Sequence, residues 1–186
     1  VDRDTKVMES VIFHVKSGLH REGCNTIDDD YQDNLYRVEI PYYVKVIKGW
    51  PSNPDDIFLP TVAVTESDDD EIPLQIGGGK YNRKLGYIEI FTEKDNDRDF
   101  LKTMIRDYLR DYSTYVRNYE EATPLYLAVG VPEDFILTEY WPSGMATAES
   151  ELWFEDVRST VIPPMNTVGE VDNHRAQVSF TAVSLR

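Results

Sequence analysis

The stretch from Thr61 to Tyr119 constrains the fold more than any other part of the chain. Thr61-Val-Ala-Val-Thr65 has strand composition, Glu66-Ser-Asp-Asp-Asp-Glu71 is acidic, and Ile72-Pro-Leu-Gln-Ile-Gly-Gly-Gly79 carries a second apolar run into three glycines. Val62 and Val64 alternate with Ala63 and Thr65, and Ile72, Leu74 and Ile76 resume the alternation. The spacing therefore predicts a hairpin whose tip is the charged run Glu66, Asp68, Asp69, Asp70 and Glu71. Gly77 to Gly79 tolerates positive backbone angles and suits the change of direction that follows. No helix cap and lysine come after it, so it does not have the pattern of a phosphate-binding loop.

Tyr87-Ile-Glu-Ile-Phe91 is the next strand, and Asp95 or Asn96 offers the side-chain acceptor that a helix start uses. Phe100, Leu101, Met104, Ile105, Tyr108, Leu109, Tyr112, Tyr115, Val116 and Tyr119 then recur at helical spacing. Phe100 to Leu109 reads as core, whereas Tyr112, Tyr115 and Tyr119 suit either core or a partner-facing patch. Lys102, Arg106, Asp107, Arg110, Asp111 and Arg117 form the solvated face of that helix.

Before this block, Val7, Met8, Val11, Ile12, Val15 and Leu19 place one apolar stripe on a helix over 5–20, which weakens at Gly18 and stops at Gly23. Asn25 to Asp33 reads as an exposed connection, and 34–48 as strands with a bend at Pro41. Residues 49–56 are dense in turn formers. After Pro124, Leu125 to Val131 suits a buried strand, and His174 to Leu185 alternates as a terminal one. Between them, Leu152-Trp-Phe has some strand character, and 132–165 reads as an insertion or extended arm on a single domain of residues 1–186. The fold class is α+β: a mixed, mainly antiparallel sheet flanked by two amphipathic helices.

Composition narrows the chemistry. The 34 acidic residues outweigh 19 basic ones, giving a formal charge of -15, which disfavours a surface that holds nucleic acid. A single cysteine, Cys24, cannot form an intrachain disulfide, and no apolar run reaches membrane-spanning length, so the chain reads as soluble and made in cytoplasm. Neither Asp28-Asp-Asp30 nor Asp68-Asp-Asp70 has calcium-loop spacing, and both read as solvated tips. His14, His20 and His174 lack metal or triad spacing, and Cys24 lacks an activating neighbour. No cofactor or catalytic motif is implied, and the chain reads as not an enzyme.

In order, the N-terminal helix, the strands ending near Lys48, Pro60-Thr-Val-Ala-Val64, Ile72-Pro-Leu-Gln-Ile-Gly-Gly-Gly79, Tyr87 to Phe91 and the helix Arg98-Asp-Phe-Leu-Lys-Thr-Met-Ile-Arg-Asp-Tyr-Leu109 resemble a tail-terminator or neck protein of tailed bacteriophages. The resemblance spans roughly 5–130, and the closing strand is similar in style. It implies a virion protein that forms a homo-oligomeric, hexameric ring, caps the tail tube protein and joins it to the head-connector or neck protein, with the sheath as a further neighbour in a contractile tail. It also implies DNA passing through a lumen that repels it, with Glu66 to Glu71 lining that lumen or docking an adjacent ring. Interface candidates are Trp50, Phe58, Tyr112, Tyr115, Tyr119, Trp141, Met145 and Met165. Two other readings compete: a small acidic hydrolase or metal-dependent enzyme using the Asp clusters, and a monomeric protein-binding module.

Overall fold

The computed structural model describes residues 3–22, 25–27, 43–50, 60–73, 80–117, 148–163 and 174–185. The elements are α1 (Arg3–Arg21), β1 (Asn25–Ile27), β2 (Tyr43–Lys48), β3 (Thr61–Pro73), β4 (Lys80–Thr92), α2 (Asp95–Asp111), β5 (Thr114–Arg117), β6 (Ala148–Ile162) and β7 (His174–Leu185). The strands form one sheet in the order β1-β2-β3-β4-β7-β6-β5. β1, β2 and β3 run parallel, and every other pairing is antiparallel. The α+β class with a mixed, mainly antiparallel sheet and two helices is what the sequence led us to expect.

Period-two alternation builds the inner face. Val62 and Val64 sit opposite Ile90 and Ile88, and these in turn sit opposite Ala176 and Val178. All six are fully buried. Val7, Met8, Val11, Val15 and Leu19 of α1 and Leu101, Ile105 and Leu109 of α2 close over them in one apolar cluster. At this degree of burial each large side chain contributes about 1.5–3 kcal/mol. α1 packs against β1 and β2 at one edge of the sheet and against β5 at the other, so the sheet curls around it. Two ion pairs hold that arrangement at the surface: Lys48 Nζ to Glu9 Oε1 at 2.9 Å, and Lys6 Nζ to Glu149 Oε1 at 2.6 Å.

Two glycines let aromatic rings come close. A Cβ on Gly18 would lie 2.6 Å from Cδ1 of Tyr108, and one on Gly86 would run into the ring of Phe180, its partner across the β4–β7 ladder. α1 thus continues through Gly18 to Arg21 instead of weakening there; the missing side chain serves helix-to-helix packing.

Several expectations need correcting. The acidic run is not a hairpin tip: β3 continues unbroken to Pro73, and the reversal into β4 falls between Pro73 and Lys80. Asp69 and Asp70 pair with Lys84 and Arg83 across the ladder, with a register shift between Glu66 and Asp69. Lys84 Nζ pairs with Glu66 Oε2 at 2.9 Å, an opposite-charge contact between the two strands. α2 ends at Asp111, and Thr114–Arg117 is a strand, because Tyr112 turns to extended backbone (φ -128, ψ 131). Lys94 is the N-cap and makes no side-chain cap; the Asp95 carboxylate instead accepts from the Asn96 N–H at 2.8 Å. Asn25–Ile27 is a strand paired with β2 instead of an exposed connection.

Within 132–165, Ala148–Ile162 is a strand of the sheet, paired with β7 on one side and β5 on the other. Residues 132–147 and 164–165 lie outside the described residues, as do 34–42, 51–59 and the run Leu125 to Val131. β6 carries a bulge between Glu155 and Arg158, where Asp156 adopts φ 52. Arg83 of β4 reaches this bulge, 3.0 Å from Glu155 Oε2 and 3.7 Å from Asp156 Oδ2.

Candidate interaction surface

The second helix carries two apolar stripes, offset by one residue. Leu101, Ile105 and Leu109 face the sheet and are buried, whereas Phe100, Met104, Tyr108 and Tyr112 lie about 100° around the helix. Phe100, expected in the core, is 45 % exposed, and Tyr112 is 43 % exposed. Beside this second stripe runs an open groove of about 540 Å³, lined by Phe100, Met104, Tyr108 and Tyr112 together with Thr103 and the acidic residues Glu22, Asp99, Asp107 and Asp111.

A continuous run of rings joins the groove to the core. Phe180 seats on Gly86 and meets Phe154 edge-on at 5.7 Å; Phe154 stacks on His14 at 5.3 Å. His14 packs against Tyr108 at 4.6 Å, Tyr108 against Tyr112 at 4.9 Å, and the Arg21 guanidinium covers Tyr112 at 4.7 Å. Each contact is worth a fraction of a kcal/mol to about 1.5 kcal/mol. Together they pack the groove floor against the core from beneath.

His14 belongs to this scaffold. Its Nε2 lies 3.1 Å from the Tyr112 carbonyl, an acceptor only, so Nε2 carries the hydrogen and donates to the C-terminal end of α2. Burial lowers its pKa from 6.5 to about 4, with the Tyr112 hydrogen bond pulling the other way. The ring is a neutral packing element. Burial likewise pushes the Tyr108 phenol above its ordinary value, opposed by Arg21.

The groove's charges divide into two kinds. Asp99 is engaged by Arg98 at 3.0 Å and by Lys102 at 3.4 Å, and Asp107 by Arg106 at 2.8 Å. The hydrogen bond from Arg98 holds the Asp99 carboxyl below its ordinary range, and Arg106 does the same for Asp107. Glu22 and Asp111, exposed beside Tyr112, have no basic side chain within salt-bridge distance among the described residues.

The expected site residues fall in three groups. Tyr112 and Tyr115 are exposed at the α2–β5 end, Tyr115 at 49 %. Trp50 is 51 % exposed on the far side of the sheet, edge-on to Phe91 at 5.6 Å and under Arg175 at 5.3 Å. Glu66 is exposed and bonded to Lys84 at 2.9 Å, and Asp68 to Glu71 are consecutive positions of β3. Phe58, Tyr119, Trp141, Met145, Met165, Cys24 and Asp28 to Asp30 lie outside the described residues. Sequence reasoning missed Phe100 as an exposed residue, and Met104, Glu22 and Asp99 as residues that line a groove. The usable signal was the width of the apolar stripe, too broad for one sheet to cover.

Among the described residues, no group of three or more His, Cys, Asp or Glu side chains is placed to hold a metal ion. No described helix is long and apolar enough to cross a membrane. No family model matches the chain, and no curated protein matches it. Among solved structures it is similar to a chain of a structure described as the virion of a native gene transfer agent particle, at 11 % identity and a TM-score of 0.32, over 76 % of this chain and 78 % of that one. A likeness of that size carries no argument about fold or function.

Proposed function

We propose that this chain is a non-enzymatic structural protein of a phage-like virion, a subunit that assembles side by side into a ring, caps the tail tube and joins it to the head connector. The observation that carries this reading is the set of aromatic side chains left on the surface of an otherwise closed apolar core: Trp50, Phe100, Tyr112 and Tyr115. Exposed aromatics backed by packed rings are the common composition of protein contact surfaces. Trp50 on the far side of the sheet and Tyr115 at the α2–β5 end lie on different surfaces of the subunit, the kind of pair that a head-to-tail ring contact joins. The charge of -15 favours a lumen through which DNA slides without adhering. In that ring the acidic strand segment Glu66 to Glu71 lines the lumen or faces a neighbouring ring.

Native mass measurement of the purified chain, alone and mixed with a tail tube protein, tests the reading. A closed oligomer, formed alone or on the tube, is expected. A monomer in both conditions removes it.

A further inference from the structure

We infer that the groove along α2 is the seat of a basic, amphipathic segment of a partner protein, with apolar side chains lying between Phe100 and Met104 and a Lys or Arg at the Tyr112 end. This rests on the assembly reading only in treating the groove as a contact face. The floor is apolar and aromatic, and it is fixed from beneath by the ring run that ends at Tyr112. Along its length the carboxylates of Asp99 and Asp107 are already neutralised by Arg98, Lys102 and Arg106. At the Tyr112 end the exposed carboxylates of Glu22 and Asp111 make no ion pair among the described residues, and the Arg21 guanidinium lies over the Tyr112 ring. The carboxylates outside ion pairs are therefore confined to one end of the groove, and the apolar side chains Phe100 and Met104 to the other. A segment with the reverse arrangement fits it, and the chain's charge of -15 draws such a segment in at long range. From Phe100 to Asp111 the groove accommodates roughly three turns of helix.

The test uses the full chain and two fluorescein-labelled helical peptides of the same leucine pattern, one with lysines and one with glutamates on the polar face, read by anisotropy at low and high salt. The lysine peptide binds at least about tenfold tighter than the glutamate peptide, and the preference shrinks in high salt. Glu22→Gln with Asp111→Asn weakens the lysine peptide about fivefold, while the charge-matched pair Glu66→Gln with Glu93→Gln leaves it within about twofold. Phe100→Ala weakens both peptides. Circular dichroism of each variant establishes that it folds. Equal affinity for the two peptides, or equal losses in the two variant pairs, overturns the inference. So does a groove variant that changes the chain's own oligomer mass and leaves peptide affinity alone, since a second copy would then occupy the groove. If the chain never forms a ring while the peptide discrimination holds, the assembly reading fails and the groove assignment stands.

Discussion

Acid should destabilise this fold through a single neutral histidine. His14 is 4 % exposed, held between Tyr108 and Phe154, and hydrogen-bonded to the carbonyl of Tyr112. Its pKa drops from 6.5 in the open chain to about 4 in the fold, chiefly through burial. Above the unfolded value both states are neutral and the full stability is present. As pH falls below it the unfolded chain takes up a proton that the folded chain refuses, so stability is lost progressively until the folded pKa is passed. At about 1.36 kcal/mol per pH unit the window is worth about 3 kcal/mol in all, of which about 2 kcal/mol is gone by about pH 5. Carboxylates titrate nearby, so the informative quantity is a difference. Urea unfolding from neutral pH to pH 4 should show a steeper fall for the native chain than for His14→Gln, whose amide can still donate to the Tyr112 carbonyl and does not titrate. Parallel profiles for the two proteins, or an imidazole that titrates by NMR near its ordinary value, would refute the account of the ring run.

Other substitutions probe the packing directly. Ala is normally favoured over Gly inside a helix by about 1 kcal/mol, yet Gly18→Ala should destabilise by about 1–3 kcal/mol because Tyr108 occupies the Cβ position, which a melting curve will register. Leu101→Ala should cost about 2–5 kcal/mol in chemical denaturation, and Phe100→Ala, one residue away, less than about 1 kcal/mol. Asp156→Gly should raise stability by up to about 1 kcal/mol, since it relieves a left-handed residue and gives up only a weak exposed contact to Arg83.

The two helices and the strands β3, β4 and β7 were legible because each carries a strong period. Val62 and Val64, Ile88 and Ile90, and Ala176 to Ala182 alternate in and out, while Val7 to Leu19 repeats every three or four residues. What local pattern could not give was long-range compensation. Glu66 reads as part of a loop tip until Lys84 is known to meet it from the next strand, and Asp69 to Glu71 until their register with β4 is known. β6 was legible only at Leu152 to Phe154, because its alternation breaks at the bulge around Asp156 and because Glu155 and Asp156 find their cation, Arg83, two strands away. Tyr115 and Val116 continue the helical spacing by coincidence; the chain leaves the helix at Tyr112, where His14 meets the last carbonyl from another element. The groove was half visible: its tyrosines stood out as an open question, whereas helical spacing put Phe100 with the core residues up to Leu109.

Electron-microscope images of the purified full chain, recorded alone and after mixing with tail tube, test side-by-side assembly most directly. The account predicts closed rings with a central opening, in solution or seated at tube ends. Isolated subunit-sized particles in both samples, with bare tube ends, would contradict it.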